Sequence, residues 1–251
     1  MRGEGTLLSG AMQRRERLLE AFVLRLAASP EAEAYALRGG MLVRSWLPET
    51  GRRVRDVDVV CSLPYRPREM RARLRAVLAS QLADGVVFDA ERFRVDTAWP
   101  HSTQPGLVLF AAGSVDGARG EIKVDLTFQL PVWPQAQRRA VGAATLWTCP
   151  HEMVIATKLQ VIAELGPREW RAKDVGDLWH VLRRFPVGVL GEAVERRRID
   201  LQSLITASWW RERDAGVRWA RYAHQLPSVP LDLDAATSEI RHHLAPLTRR
   251  S

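Results

Sequence analysis

Leu37-Arg38-Gly39-Gly40-Met41 and, a short way on, Arg55-Asp56-Val57-Asp58-Val59-Val60 form the stretch that decides the fold of this chain. The pair of glycines opens a predicted helix, and the two aspartates alternate with valines in a predicted strand. Because side chains alternate along a strand, Asp56 and Asp58 project to one face, roughly 6–7 Å apart, and the valines project to the other. The stretch predicts a pair of carboxylates at the surface of a buried strand.

Two carboxylates beside a hydrophobic strand are costly if they stay ionised and unpaired. A divalent cation offsets that cost, and Mg²⁺ prefers a few carboxylates together with substrate phosphates. A solvated strand end or a salt-bridged sheet edge would explain the two aspartates without any function. Gly39 and Gly40 alone are typical of a turn with positive φ. Beside a metal site, the amides of Gly40 and Met41 would instead face an incoming phosphate.

A third carboxylate lies on the predicted strand from Glu121 to Leu130, which alternates cleanly between apolar and polar residues. If this strand pairs near the first, Asp125 joins Asp56 and Asp58 on one side of the sheet. Three carboxylates can hold two metal ions, and Asp125 could also accept the proton of an attacking hydroxyl. Lys123, on the same face, would lie near a phosphate or simply balance charge.

Lys158 is anomalous because its neighbours at −4, −3, +3 and +4 on a predicted helix are all apolar. Its ammonium could snorkel to the edge of that apolar stripe, or it could reach a nucleotide triphosphate and stabilise the leaving pyrophosphate. On the next predicted helix, Asp174 borders the buried face and could hold Lys158 in place. The alternative is an ordinary surface network of Asp174 with Arg171 and Lys173.

The remaining pattern predicts an α+β fold, with a mixed sheet of four or five strands in residues 1–145 and a mostly helical half in residues 146–251. Pro131 to Ala144 is rich in Pro, Gln and Arg and is interpreted as a linker or crossover. After it, helices are predicted from Pro150 to Leu165 and from about Glu169 to Phe185. Two or three more helices would follow, anchored by a group of tryptophans: Trp209, Trp210 and Trp219.

The amino-acid composition excludes some classes of function but does not identify a single one. The net charge is +8, from 37 basic and 29 acidic residues, which suits a polyanionic partner such as a nucleotide or RNA. Only three of the basic residues are lysines: Lys123, Lys158 and Lys173. The two cysteines are too few for a disulfide framework or a Cys-based zinc site. Neither a secretory signal nor a run of 18 apolar residues is visible, so we expect a cytoplasmic protein without a membrane segment.

The set of motifs resembles the nucleotidyltransferase superfamily, and within it the AbiEii-type toxins of bacterial toxin–antitoxin and abortive-infection systems. Gly39-Gly40 followed by Asp56-Val57-Asp58 resembles the first motif of the superfamily, and Lys123-Val124-Asp125 resembles its third carboxylate motif in this branch. Lys158 and the run Lys173-Asp174-Val175-Gly176-Asp177-Leu178 match the later motifs. The resemblance extends over about Tyr35 to Phe185.

The resemblance implies a nucleotidyltransferase fold like that of DNA polymerase β, with the helical half completing the active-site cleft. It implies Mg²⁺-dependent transfer of a nucleoside monophosphate from an NTP to an acceptor, in studied relatives the 3′ end of tRNA, and a partner antitoxin encoded nearby. The metal ligands implied are Asp56, Asp58 and Asp125. The residues implied at the nucleotide, besides the two glycines, are Arg52, Lys123 and Lys158, with Asp174 orienting Lys158.

Two other functions compete with this interpretation. A small-molecule acceptor such as an aminoglycoside would keep the fold, although such cationic substrates favour a carboxylate-lined site and the C-terminal half of this chain is basic. An inactive nucleotidyltransferase-fold protein that binds RNA or a partner is the second alternative. It is favoured by Met41 and Val54, which stand where the family often has a phosphate-facing hydroxyl.

Overall fold

The structure is a computed structural model that describes residues 2–98, 105–206, 212–226 and 228–248. Its seven strands, in chain order, are β1 (Tyr35–Arg38), β2 (Val57–Cys61), β3 (Val86–Ala98), β4 (Gly106–Val115), β5 (Ala118–Phe128), β6 (Gln137–Val141) and β7 (Ala144–Thr148). Its nine described helices are α1 (Arg2–Ala27), α2 (Gly39–Trp46), α3 (Pro67–Ala79), α4 (His151–Glu169), α5 (Ala172–Arg184), α6 (Leu190–Arg196), α7 (Leu201–Thr206), α8 (Arg213–Ala223) and α9 (Leu233–Thr248).

All seven strands form one mixed sheet in the order β3-β4-β5-β2-β1-β7-β6. β2 lies at its centre, antiparallel to β1 and parallel to β5. A parallel pair needs a crossover connection, which α3, β3 and β4 supply between β2 and β5. The predicted α+β class, with a mixed sheet first and helices after it, is confirmed.

The chain divides into two compact units. The first comprises Met1–Ser45, Arg53–Pro131 and Ala136–Thr148, and contains the whole sheet with α1 and α3. The second comprises Trp46–Arg52, Val132–Gln135 and Cys149–Ser251, and contains the helices from α4 to α9.

The core of the first unit lies between the sheet and two amphipathic helices. α1 packs against β4 and β5, and α3 packs against β3. Phe22 of α1 meets Phe88 of β3 edge to face at 6.4 Å. Leu18 packs closely on β4 and β5, since a Cβ added at Gly113 or Gly120 would lie 2.9 or 2.7 Å from one of its methyl groups. The apolar side chains of β5 face this core, so its alternate polar side chains occupy the opposite face of the sheet.

Two sequence-based predictions about the fold are wrong. The sheet has seven strands instead of four or five, because residues 137–148 within and after the predicted linker form the β6–β7 hairpin. The described part of the chain after α5 contains four helices instead of two or three. Of the predicted tryptophan anchors, Trp219 is fully buried, whereas Trp209 and Trp210 lie outside the described residues. Within the described residues, every helix is too short or too polar to traverse a lipid bilayer.

Candidate active site

The carboxylate group of the candidate site lies in the first unit, where β2 pairs with β5. The register places Asp58 opposite Asp125, which brings the two residues onto the same face of adjacent strands. Strands in a sheet lie about 4.8 Å apart, so the two carboxylates are close neighbours. Asp56 lies one residue before β2 and is only partly buried. No group of three His, Cys, Asp or Glu side chains close enough to hold a metal ion occurs among the described residues.

Asp125 has one satisfied and one unsatisfied carboxylate oxygen. Lys123 Nζ donates a hydrogen bond to Asp125 Oδ2 at 2.7 Å. Asp125 Oδ1 is buried, and no donor within the described chain reaches it. A buried carboxylate oxygen without a donor is costly unless a cation or a ligand satisfies it. Asp125 therefore fits the role of a metal ligand, with one oxygen available on the polar face of the sheet.

Position 39 requires glycine for two reasons, its backbone conformation and the closeness of the Asp58 side chain. Its φ of +68° lies in the left-handed region that glycine adopts without penalty. A Cβ placed there would lie only 2.0 Å from Asp58 Oδ2. The Asp58 carboxylate is thus packed against the start of α2, where the helix N-terminus favours negative charge. Gly40, the next residue of α2, is also buried.

Arg38 belongs to the same polar face, and the sequence reasoning missed it. It is the register partner of Asp58 on the other side of β2, and its guanidinium donates to Thr127 Oγ1 of β5 at 2.8 Å. Arg38 Nε is buried, with no acceptor among the residues that the structure describes. Its position immediately before Gly39-Gly40 was the one available signal.

The second group of candidate residues is a buried cluster of charges in the second unit. Lys158, at the middle of α4, is 7% exposed. Its ammonium contacts Asp174 Oδ1 at 3.1 Å and Asp177 Oδ2 at 2.5 Å, so the predicted Asp174–Lys158 contact is present. The surface alternative for Asp174 is also partly present, because exposed Arg171 donates to its Oδ2 at 2.6 Å. Lys173 is exposed.

Asp177 is the centre of this cluster, although the sequence analysis gave it no separate role. Its side chain is fully buried, and besides Lys158 it binds Arg52 through two hydrogen bonds, one to each oxygen. Bidentate pairing of this kind fixes both side chains. Three cations, from Lys158, Arg52 and Arg171, thus surround the carboxylates of Asp174 and Asp177. The resemblance implies that Arg52 lies at the nucleotide, and in the structure its guanidinium pairs with Asp177.

Burial and the neighbouring charges shift the pKa values of this cluster in opposite directions, and the neighbouring charges have the larger effect. Burial alone would raise the pKa of Asp177, but Lys158 and Arg52 lower it to about 2. Burial likewise lowers the pKa of Lys158, yet Asp177 and Asp174 raise it above its usual value. Asp177 and Lys158 therefore both stay ionised at neutral pH, and removing the Asp177 carboxylate would leave buried cations uncompensated.

One family model and two solved structures are similar to this chain. A family model described as "Nucleotidyl transferase AbiEii toxin, Type IV TA system" matches residues 21–240. A solved structure described as a "putative nucleotidyltransferase from H. pylori" superposes with a TM-score of 0.60 at 14% identity, over 96% of each chain. JHP933 from Helicobacter pylori superposes with a TM-score of 0.57 at 14% identity, over 94% of this chain and 91% of that one. No curated protein shows significant similarity to the sequence.

Proposed function

Because the chain belongs to the AbiEii nucleotidyl transferase toxin family of type IV toxin–antitoxin systems, we propose that this nucleotidyltransferase transfers a nucleoside monophosphate from an NTP to a hydroxyl of RNA, at the 3′ end of tRNA. The observation that carries the proposal is the register of Asp58 with Asp125 beside Gly39. An antitoxin encoded nearby is the second partner that the family implies.

Mg²⁺ fits the residues of the first unit. Carboxylate oxygens are the ligands it prefers, and Asp125 Oδ1 is a buried oxygen that lacks a donor in the described chain. Asp58 and Asp125 would hold the ion. We assign Asp56 as the third ligand, with which the three carboxylates would hold a second ion. When bound, Mg²⁺ neutralises charge on the phosphates of the NTP.

The transfer step is an in-line displacement at the α-phosphorus. The acceptor hydroxyl oxygen forms a bond to that phosphorus, the bond to the bridging oxygen breaks, and pyrophosphate leaves. Asp125 accepts the hydroxyl proton, a role for which a positioned carboxylate is suited. The amides of Gly40 and Met41, which follow the Gly39 turn at the start of α2, bind phosphate oxygens.

Each basic residue of the site is assigned either to the phosphates of the nucleotide or to positioning another side chain. Lys158 is the cation we assign to the triphosphate, with Asp174 and Asp177 as the carboxylates that position its ammonium. Lys123 is assigned to phosphate binding next to Asp125. Arg52 is reassigned as a positioning residue, because its guanidinium is occupied by both oxygens of Asp177.

The test is incubation of the protein with each α-labelled NTP, Mg²⁺ and total tRNA, beside an Asp58→Ala control. The expected result is label at RNA 3′ ends that requires both Mg²⁺ and Asp58. A panel of aminoglycosides serves as the competing acceptor class. Absence of Asp58-dependent label on RNA, or label only on an aminoglycoside, would overturn the proposed acceptor.

A further inference from the structure

Helix α3 carries a concentrated positive charge that the proposed reaction does not use. The helix and the residue before it contain five arginines and one glutamate: Arg66, Arg68, Glu69, Arg71, Arg73 and Arg75. Its apolar residues are buried against the sheet: Met70, Leu74, Val77 and Leu78. Arg68, Arg71 and Arg75 follow at i, i+3 and i+7, so they lie along one side of the helix, and all three are exposed. We call these three residues the arginine face.

The acidic residues nearby leave most of this charge uncompensated. Glu69 is shared between Arg66 at 3.0 Å and Arg73 at 3.4 Å, and Arg73 also pairs with Glu31. Within the described chain, Arg68 and Arg71 form no ion pair, and Arg75 has only the exposed Glu91 at 3.8 Å. The arginine face is therefore a local excess of positive charge.

Two of the three guanidinium groups are also held in place. The Arg71 guanidinium lies 4.7 Å from the centre of the Phe93 ring on β3, and it donates to the Phe93 carbonyl at 3.3 Å. The Arg75 guanidinium lies 6.0 Å from the same ring. Cation–π contact restricts these side chains before any partner arrives, so less conformational entropy is lost on binding.

We propose that the arginine face binds the phosphate backbone of the acceptor RNA. The inference rests on the proposed function for the choice of RNA as the polyanion. Guanidinium groups bind phosphates in a bidentate manner, and backbone contacts of this kind position an RNA without selecting its sequence. A membrane surface fits less well, because the other exposed residues along this side are alanines, Ala72, Ala76 and Ala79, which offer no large apolar group for insertion.

The test measures the affinity of the whole protein for tRNA as a function of salt, without nucleotide. Replacing Arg68, Arg71 and Arg75 together by Gln should weaken binding at least about tenfold at low salt. It should also reduce the slope of log Kd against log salt by about 2–3, which corresponds to three lost phosphate contacts. The matched control replaces three other exposed arginines, Arg15, Arg119 and Arg221, by Gln, which removes the same charge.

Each outcome decides for or against the arginine face. A loss of slope confined to the arginine-face variant, with its thermal unfolding unchanged, supports the proposal. Equal losses in both variants would mean diffuse attraction and would overturn it. Unchanged RNA binding together with weakened binding to anionic phospholipid vesicles would also overturn it, in favour of a membrane. Because binding is measured without transfer, a protein that binds tRNA through the arginine face but transfers no label contradicts only the proposed function.

Discussion

Asp58 on β2 and Asp125 on β5 are register partners in the parallel pairing of the two strands. The crossover through α3, β3 and β4 lies between them in the sequence, and the pairing returns them to one face of the sheet. Gly39, at the start of α2, touches the Asp58 carboxylate. Three segments that are distant in the sequence thus meet at one candidate site.

Gly39→Ala should disrupt the site more than a strained backbone alone would. Its Cβ would lie 2.0 Å from Asp58 Oδ2, so the Asp58 carboxylate must move. A displacement of about 1 Å can cost about 10²-fold in rate, and we expect a loss of that size in transfer. Gly51→Ala is the control, because Gly51 has a nearly identical φ of +66° with nothing within 4 Å. It should cost about 1–2 kcal/mol of stability and leave the transfer rate unchanged.

Asp177→Asn should destabilise the protein strongly. The change leaves Arg52 facing a neutral amide and leaves Lys158 with Asp174 alone. Breaking a buried pair in this way costs about 3–5 kcal/mol, measurable as the free energy of unfolding in urea. The exposed Asp214→Asn, which removes the same charge, should stay within about 0.5 kcal/mol of the wild type. Similar values for the two variants would refute a central role for Asp177.

Stability should fall in acid because of Asp177. The folded-state pKa of about 2 lies below the ordinary value of 3.8, since the attraction of Lys158 and Arg52 exceeds the opposing effect of burial. The ion pairs therefore stabilise the fold fully above about pH 4, and this contribution of about 2 kcal/mol is lost as the pH falls to about 2. The difference in unfolding free energy between wild type and Asp177→Asn should shrink by that amount over this range. A constant difference would contradict the assignment.

Lys158→Met separates catalysis from stability. After this change Arg52 still pairs with Asp177 and the exposed Arg171 still pairs with Asp174, so each carboxylate keeps one cation. We expect a folded protein whose transfer rate falls about 10²–10³-fold, as for loss of one preorganised group that stabilises developing charge. Lys173→Met, on an exposed lysine, is the control and should keep the wild-type rate. A fully active Lys158→Met variant would remove Lys158 from the proposed mechanism.

The sequence predicted the parts of the fold whose periodicity is strong. The clean alternation from Glu121 to Leu130 indicated a strand with one polar face, and β5 carries Asp125 on that face. The β6–β7 hairpin was missed because β6 is a short edge strand with exposed Gln and Arg residues, which is how edge strands avoid aggregation. Its composition cannot be told from that of a linker.

The sequence also indicated half of the buried cluster. Lys158 was conspicuous because a cation at the centre of an apolar stripe needs a partner, and Asp174 was the nearest candidate on the next helix. Arg52 could not be connected to Asp177, because a bond across such a sequence separation depends on tertiary packing. Met41 and Val54, considered for their missing hydroxyls, are both buried in the apolar core.

The most direct test of the central claim is the initial rate of Mg²⁺-dependent NMP transfer for Asp58→Asn and Asp125→Asn. A third variant, Glu121→Gln, changes an exposed carboxylate on the same face of β5 and serves as the control. If the paired aspartates hold the metal, both Asn variants should lose about 10³-fold or more in rate, and Glu121→Gln should retain the wild-type rate. Transfer by Asp125→Asn at the wild-type rate and Mg²⁺ dependence would contradict the account.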